Sequence, residues 1–295
     1  MENNNSRASS LEELNVLLGG LFSKDETKSG TALQLRSTDI VITPFAKCGT
    51  TWLQQIVHTL RTRGDMSFDD ISRVVPWIES SPALGLDLNA EQRANPRAFK
   101  SHLPFDQIPK GGRYINVLRN PGDALCSMHK FMEGWFLEPG AVSLDEFARQ
   151  RFMQSKAYWA HLKSWWSHRN DANVLFLVYE HMHQDLASSI KRIAEFIGTP
   201  CDDALLTLTL DHASLPFMLK NKDRFDDAML RTLSEKQCGL PKGSDSAKVR
   251  EGKVGEHRQV LSPEIKAELD LIWQSEVAGS LGFKDYESLI STLKI

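Results

Sequence analysis

The chain of 295 residues contains little cysteine and almost no net charge. Its four cysteines, at positions 48, 126, 201 and 238, are far apart in sequence, so no CxxC pair or Cys/His spacing indicates a zinc site or a disulfide framework. The 35 basic and 38 acidic residues give a net charge of −3, which does not indicate a general affinity for nucleic acid or anionic membranes. We therefore expect free thiols, no bound metal and, for any anion site, a local cluster of basic side chains.

Long apolar runs are also absent. No stretch reaches the roughly 18 apolar residues that a membrane-spanning helix needs. The polar N-terminal sequence MENNNSRASSLEEL lacks the basic start and apolar run of a signal peptide. These absences predict a cytoplasmic protein without a membrane span. Hydrophobic residues still make up 41% of the chain and charged residues 25%, which is typical of a globular protein with a sizeable core.

Short apolar strands alternate with helical segments along the chain. The predicted strands are residues 39–43, 97–103, 113–119 and 173–180. The clearest predicted helices are residues 11–19, 50–63, 120–131, 143–169, 186–197 and 262–277. This alternation indicates parallel βαβ units. We therefore predict a single α/β domain over residues 1–295, with a central, mostly parallel sheet flanked by helices and with residues 1–9 loose.

The turn after the first predicted strand has the features of an anion site. PFAKCGTTW leads from that strand into a helix N-terminus, where backbone N–H groups and the helix dipole favour a phosphate. Lys47 adds a cation, Thr50 and Thr51 add hydroxyl donors, and Trp52 offers a face for a base. A Walker A loop needs a Gly-Lys pair, whereas here Lys47 precedes Gly49 by two residues. An ordinary strand-to-helix turn is the alternative.

Two further segments include the second and third predicted strands. In KSHLP, Lys100 and His102 alternate along a strand and project from one face, and histidine is the usual general base near neutral pH. In RNPGDALCSMHKF, Arg119 ends a strand at the edge where open α/β sheets bind ligands, and Ser127 lies two helical turns further on. The alternatives are a structural histidine, a surface salt bridge and an ordinary helix serine.

Two more segments carry charge near glycine or at a strand end. Tyr179 and Glu180, in VLFLVYEHM, close the fourth predicted strand. Glu180 could be the acidic end of a Walker B strand, which leaves a P-loop kinase or nucleoside triphosphatase as an alternative function. In VREGKVGEHR, Arg250 and Lys253 lie in a glycine-containing loop, for which a solvated charged loop is the other interpretation.

In their order along the chain, these segments resemble the motifs of the cytosolic sulfotransferases. That family uses 3′-phosphoadenosine 5′-phosphosulfate (PAPS) and releases 3′-phosphoadenosine 5′-phosphate (PAP). AKCGTTW is similar to its phosphosulfate loop PKSGTTW, KSHLP to its catalytic-histidine segment, RNPGDALCSMHKF to its 3′-phosphate motif, YEHM to YEDM, and VREGKVG to RKGxxG. The resemblance runs from about residue 40 to residue 286 and implies a P-loop-like strand-loop-helix.

The resemblance implies a role for each matching residue. The residues it assigns to the 5′-phosphosulfate are Lys47, Cys48, Gly49, Thr50 and Thr51. Those it assigns to the adenine are Trp52, Tyr179, Ser214 and Met218, and those it assigns to the 3′-phosphate are Arg119, Ser127, Arg250 and Gly252. It makes His102 the base that takes the acceptor proton. Lys47 would stabilise the leaving phosphate oxygen, and Lys100 would orient the sulfuryl group or the histidine.

The acceptor is left open by the sequence. Trp77 and Phe131 align with positions that line the family's acceptor pocket, and Trp135 lies close to them in sequence. We expect an aromatic pocket for a small hydrophobic alcohol, phenol or amine, with core packing of these aromatics as the alternative. A non-catalytic nucleotide-binding protein of the same fold is a third interpretation, although such a protein would be expected to lack the histidine at position 102.

Several positions depart from the family pattern. Ala46 replaces a proline and Cys48 a serine in the phosphate loop, and Glu251 replaces a lysine, which predicts a weaker hold on the 3′-phosphate. The family's dimer motif is not legible around HRQVLSPE, so no oligomeric state is predicted. Because a helix N-terminus and Lys47 would both favour a thiolate, we expect Cys48 to be the fastest-alkylated cysteine. The alternative is a buried thiol that packs as a small apolar group.

Overall fold

Four parallel strands form the sheet at the centre of the computed structural model, which describes residues 6–242 and 248–293. The strands are β1 Ile40–Ile42, β2 Ala98–Lys100, β3 Arg113–Leu118 and β4 Val174–Val178, and their order in the sheet is β2-β1-β3-β4. Ile42 is in register with Lys100 on one side and with Ile115 on the other, and Leu118 is in register with Val178. The predicted α/β class with a parallel sheet is confirmed.

Helices connect and cover these strands. They are α1 Leu11–Gly19, α2 Lys24–Thr31, α3 Thr50–Thr62, α4 Ile71–Val74, α5 Pro121–Trp135, α6 Leu144–Phe147, α7 Ala157–Trp166, α8 Tyr179–Gln184, α9 Leu186–Ile197, α10 Asp203–His212, α11 Leu215–Lys220, α12 Ala228–Cys238, α13 His257–Val260, α14 Pro263–Trp273, α15 Gly279–Leu281 and α16 Tyr286–Ile290. Two π-helical segments, Ala148–Met153 and Gln274–Ala278, and a 3-10 turn at Lys222–Arg224 are also present. Within the described ranges, no helix is long and apolar enough to cross a membrane.

The strands are buried on both faces, so successive strand residues belong to two different hydrophobic cores. Val41 and Phe99 pack in one core with aromatic side chains of α5 and α7, whereas Ile40 and Ile42 pack in the other against α3 and α9. This alternation follows from the pleat, which turns neighbouring side chains to opposite faces. It explains why the strands appear in the sequence as continuous apolar runs.

The structure differs from the predicted elements at several places. β2 ends at Lys100, so the strand predicted over 97–103 is shorter and His102 lies beyond it. β4 ends at Val178, so Tyr179 begins the short helix α8 instead of closing the strand. The helix predicted over 143–169 is interrupted by a π-helical segment and by Lys156, whose φ of 50° is left-handed. Ala8, expected to be loose, is only 2% exposed, and its backbone bonds to Phe136 and Glu138. The remainder of the loose N-terminus, residues 1–5, lies outside the described residues.

A buried ion pair joins β1 to the segment that leads into β2. Arg97 Nε donates to Asp39 Oδ1 at 3.0 Å and Arg97 Nη2 to Asp39 Oδ2 at 2.5 Å, and both side chains are buried. Asp39 is thus held at the amino end of β1, opposite the edge to which the phosphate-loop candidate belongs. Removing one partner of such a pair leaves an uncompensated buried charge.

We expect the variant Arg97→Met to lower the free energy of unfolding by about 3–5 kcal/mol, the range measured when one partner of a buried pair is lost. Urea denaturation measures this change. The control is Arg149→Met, because Arg149 pairs with Glu268 where both side chains are more than a third exposed. That loss should stay within about 1 kcal/mol. Equal effects of the two substitutions would contradict the assigned importance of the buried pair.

Candidate active site

The carboxyl ends of the four strands meet at one edge of the sheet and border a cavity of about 380 Å³. Each strand delivers polar side chains to this edge: Lys47 follows β1, His102 follows β2, Arg119 follows β3 and Tyr179 follows β4. The predicted site residues that line the cavity are Lys47, Gly49, Thr50, Thr51, Trp52, Trp77, Lys100, His102, Arg119, Ser127, Phe131, Trp135, Tyr179, Met218, Arg250 and Gly252. The structure therefore brings together residues that are up to about two hundred positions apart in the sequence.

The loop between β1 and α3 owes its shape to two left-handed residues. Lys47 has φ 68° and Gly49 has φ 92°, a conformation that glycine adopts without strain. A Cβ on Gly49 would lie 3.0 Å from Cδ2 of Tyr179, so the position also needs a residue without a side chain. The Cys48 N–H already donates to the carbonyl of Phe45 at 3.1 Å. The Oγ1 atom of Thr50, at the start of α3, is buried and lacks a hydrogen-bond partner among the described residues.

Arg119 connects this loop to the segment after residue 248. Its Nη1 donates to the Lys47 carbonyl at 2.8 Å and its Nη2 to the Lys253 carbonyl at 3.1 Å. The guanidinium carbon lies 4.5 Å from the centre of the Tyr179 ring. The side chain is buried, and its Nε has no partner in the described part of the chain. Arg119 is therefore a fixed, buried cation at the cavity wall, and its Nε–H group is available to donate a hydrogen bond.

Lys47 is a second cation of the cavity. Burial and the positive charges of Arg119 and Arg250 lower its pKa to about 7. Its Nζ lies 4.2 Å from the centre of the Phe131 ring, a cation–π contact. Because desolvation and like charges both oppose protonation, a bound anion would raise this pKa. The site therefore takes up negative charge favourably.

His102 lies on the opposite wall with a defined tautomer. Its Nδ1 is 2.9 Å from the carbonyl oxygen of Pro44, which can only accept, so Nδ1 carries the hydrogen and Nε2 holds a lone pair. Its backbone N–H donates to Oε1 of Glu79 at 2.8 Å. Burial and the charge of Lys100 lower the histidine pKa to about 3, so the ring is neutral at physiological pH. A neutral imidazole with a free Nε2 can accept a proton.

Three aromatic rings are clustered beside Arg119. The ring centres of Trp52 and Tyr179 are 5.5 Å apart, and that of His183 lies 4.8 Å from Trp52 and 4.7 Å from Tyr179. The Trp52 Nε1 donates to the Ala213 carbonyl at 2.8 Å, which fixes the indole plane. His183 was not predicted, although its position three residues after Glu180 in YEHMHQ placed it within reach of the same edge. Trp52, Tyr179 and His183 all line the cavity.

Another part of the cavity wall is apolar and aromatic. Phe131 and Trp135 pack edge to face with ring centres 5.5 Å apart, and Trp77 meets the rings of Phe22 and His102 at 5.8 and 5.4 Å. Phe22, together with Leu18 and Leu21, reaches the cavity from α1 and the turn after it. Apart from the amphipathic pattern of α1, nothing in the sequence indicates that these three residues contribute to the site. Lys248 and Asp227 also line this side and were not predicted.

Neither of the two acids singled out in the sequence lines the cavity. Glu180 accepts the backbone N–H of Asn120 at 2.9 Å and the hydroxyl of Tyr286 at 2.8 Å, so it joins α5 to α16. Glu251 pairs with Lys253 at 2.5 Å, where both side chains are exposed. In the described part of the chain, His, Cys, Asp and Glu side chains form no group of three that could hold a metal ion.

The expectation of a reactive Cys48 is wrong. Its side chain is 1% exposed and packs in a hydrophobic core, and burial raises its pKa to about 12. The helix N-terminus does not acidify this sulfur because the thiol points away from the loop's concave face, into the core. Ser214 also lies outside the cavity lining, and its hydroxyl caps α11 by accepting the N–H of Phe217 at 3.3 Å. Ala213 and Leu215, its neighbours, do line the cavity.

We therefore expect iodoacetamide to label Cys201 first and Cys48 and Cys126 last. Cys201 is half-exposed, whereas the other two thiols are buried and burial raises the pKa of each to about 12. Thiolate content and access together set the alkylation rate. Mass-spectrometric mapping of the labelled peptides over time measures the order, and denatured protein, in which all four thiols should react alike, is the control. Labelling of Cys48 as fast as that of Cys201 would contradict the burial.

Comparison with known proteins shows which family the chain matches. The family model described as the sulfotransferase domain matches residues 37–281. Sulfotransferase 4A1 of Mus musculus is 28% identical over 255 residues, which are 82% of this chain and 81% of that protein. The amine sulfotransferase of Oryctolagus cuniculus is 28% identical over 257 residues, 83% of this chain and 82% of its own length.

Solved structures share the fold. Retinol dehydratase in complex with retinol and PAP has a TM-score of 0.68 at 19% identity, with 92% of this chain and 96% of that one covered. Mouse sulfotransferase SULT7A1 complexed with PAP has a TM-score of 0.65 at 22% identity, with 88% and 92% covered. These likenesses agree with the parallel sheet and its helices described above.

Proposed function

Because this chain belongs to the sulfotransferase domain family, we propose that it transfers the sulfuryl group of PAPS to a hydroxyl or amine of a small acceptor with a hydrophobic body. His102 is the general base of this proposal, and PAPS is the co-substrate that becomes PAP. The solved relatives that carry PAP in their complexes, retinol dehydratase and SULT7A1, support this choice of donor.

The proposal rests on the charge of the residues that line the cavity. Five of the described lining residues are cations, Lys47, Lys100, Arg119, Lys248 and Arg250, and a single one, Asp227, is an acid. An excess of cations that are buried or partly buried costs free energy unless anions balance it. PAPS brings a 3′-phosphate and a 5′-phosphosulfate, and Arg119 with Ser127 would hold the first while Lys47, Thr50 and Thr51 hold the second. The unpartnered Thr50 Oγ1 and Arg119 Nε offer donors for such anions.

The proposed chemistry is an in-line transfer. The bond between sulfur and the bridging phosphate oxygen breaks as sulfur bonds to the acceptor oxygen or nitrogen, and the acceptor proton passes to His102 Nε2. The negative charge that develops on the departing phosphate oxygen is met by the Lys47 ammonium group. Trp52, Tyr179, His183 and Met218 would hold the adenine. The protein thus contributes position, charge stabilisation and one base.

Two alternatives are less well supported. A P-loop kinase or triphosphatase would use a Gly-Lys pair and an acid that reaches the phosphates, but no Gly-Lys pair follows β1, and the Glu180 carboxylate is occupied by Asn120 and Tyr286. A non-catalytic nucleotide-binding protein gives no reason for a neutral histidine with a free Nε2 beside the acceptor wall. We therefore favour transfer over both.

Incubation with PAPS labelled in its sulfuryl group and a panel of alcohols, phenols and amines should yield labelled product. In His102→Ala the rate should fall by about 10²- to 10⁴-fold, because a general base contributes on that order. Binding of PAP, measured by calorimetry, should change little. The control is His168→Ala, since His168 pairs with Asp171 and does not line the cavity. A His102→Ala variant that turns over within a few-fold of the parent would contradict the base assignment.

PAP should bind far more tightly than ATP, because Arg119 and Ser127 suit a 3′-phosphate that ATP lacks. At pH 8 the phosphates of PAP are already deprotonated and the free Lys47, with a pKa of about 7, is mostly neutral. Bound anions raise this pKa, so binding at pH 8 should take up on the order of one proton. At pH 6 the uptake by Lys47 should vanish.

Calorimetry in buffers of different ionisation enthalpy measures this proton uptake. In Lys47→Met the uptake at pH 8 should fall and PAP should bind more weakly, whereas Lys236→Met, on the exposed face of α12, should behave as the parent. Equal affinities for PAP and ATP would count against the 3′-phosphate site, and unchanged uptake in Lys47→Met against the role of that lysine.

A further inference from the structure

A buried group of charges lies on the acceptor side of the cavity. We call it the lysine cluster, and its members are Lys100, Lys248, Asp227 and Ser72. Asp227 Oδ1 accepts the Ser72 hydroxyl at 3.2 Å and lies 3.5 Å from Lys100 Nζ, and its Oδ2 accepts from Lys248 Nζ. Lys100 and Asp227 are almost fully buried, and the Lys248 side chain is 11% exposed. Two lysine side chains thus share one carboxylate.

The surface that this cluster presents to the cavity is positive. Among the described residues of the cavity lining, Asp227 is the sole acid, and both of its oxygens are occupied. The negative charge of Asp70 acts on both lysines and favours their protonated forms, and its carboxylate accepts the backbone N–H groups of Ser72 at 2.8 Å and Met229 at 3.1 Å. Asp226 pairs with Arg231 at 3.3 Å. Neither of these two acids lines the cavity.

Burial and nearby charges shift the pKa values of both lysines of the cluster. Burial, followed by the charges of Lys100 and Lys47, lowers the pKa of Lys248 well below its usual value. Burial lowers the pKa of Lys100 to about 8, although Asp70 and Glu79 oppose the shift. A further cation placed beside these groups would be repelled, and an anion would be attracted.

The cluster lies beside Trp77 and His102, where an acceptor would bind. The Lys100 Nζ is 4.8 Å from the centre of the Trp77 ring, and Trp77 meets His102 edge to face. Leu230, on the same helix that begins after Asp227, also lines the cavity. An acceptor whose hydroxyl reaches His102 therefore places its remaining groups against Trp77 and the lysine cluster.

We propose that Lys248, held by Asp227, selects the acceptor by charge: the site takes a hydroxyl acceptor that carries a carboxylate, takes a neutral one less well and rejects one that carries an ammonium group. This inference rests on the proposed function and narrows it to transfer onto oxygen. An aliphatic amine is an ammonium ion at neutral pH. The chain would then differ in acceptor from the relative named amine sulfotransferase.

Three phenols with the same reacting hydroxyl test this selection. They are 3-(4-hydroxyphenyl)propanoate, its primary amide and tyramine, whose side chains carry charges of −1, 0 and +1 at neutral pH. With labelled PAPS, kcat/KM should fall in that order, by about tenfold at each step, as expected when a hydrogen bond between charged groups is gained or lost. An equal or higher kcat/KM for tyramine would overturn the proposal.

Substitutions at position 248 test whether Lys248 is responsible for the selection of acceptors by charge. In Lys248→Met the three values of kcat/KM should converge to within about threefold, whereas Lys248→Arg should keep the order because the charge remains. The control Lys236→Met removes an equal charge from the exposed face of α12 and should also keep the order. Persistence of the full order in Lys248→Met would overturn the assignment.

A binding measurement separates this inference from the proposed function. Dissociation constants of the same three phenols for the protein saturated with PAP need no transfer, and they should follow the same order and converge in Lys248→Met. If none of the phenols is sulfated but the binding order is observed, the proposed transfer fails and the charge selection stands. If all three are sulfated and bound alike, the charge selection fails and the transfer stands.

Discussion

The Arg119 guanidinium holds together the parts of the chain that form the cavity. It donates to the carbonyls of Lys47 and Lys253 and lies over the Tyr179 ring. The backbone carbonyl of Arg119 accepts the Tyr158 hydroxyl at 2.6 Å. The partners of the guanidinium are carbonyl dipoles and a ring, so its full charge is solvated without being neutralised. A buried cation in that condition destabilises the free protein and prepares the site for an anion. The loop after β1, the segment after residue 248 and the start of α8 all take their relative positions from this one side chain.

Other residues that line the cavity resemble Arg119 in this respect. They bring positive charges together, and the folded chain does not balance these charges. Lys47 and Lys248 lose part of their affinity for protons because burial and neighbouring cations oppose the charged form. Asp39 and Arg97, at the other end of β1, form a neutral buried pair instead. The amino ends of the strands thus form the structural end of the sheet, and the carboxyl ends form the binding end. Parallel strands make this possible because they deliver all four carboxyl ends to the binding edge.

Much of the fold and of the candidate site could be predicted from residues that are close together in the sequence. The glycine turn before α3 is determined by neighbouring residues and was predicted from them. The Asn120 cap of α5, which accepts the Gly122 N–H at 2.9 Å, is equally local. His183 and the Lys248–Asp227 pair were missed because their partners are distant in sequence. No residue close to Asp227 indicates that it will meet Lys100, which is 127 positions away.

The error at Cys48 shows where a local rule stops being sufficient. A helix N-terminus acidifies a thiol only if the sulfur faces the helix dipole and water. The left-handed residues on either side, Lys47 and Gly49, turn the intervening side chain into the hydrophobic core. The concave face of the loop is then formed by backbone, by Lys47 and by the threonines of α3. A small side chain at position 48 packs beneath the loop without shaping it, which explains why cysteine can stand there in place of the family's usual serine.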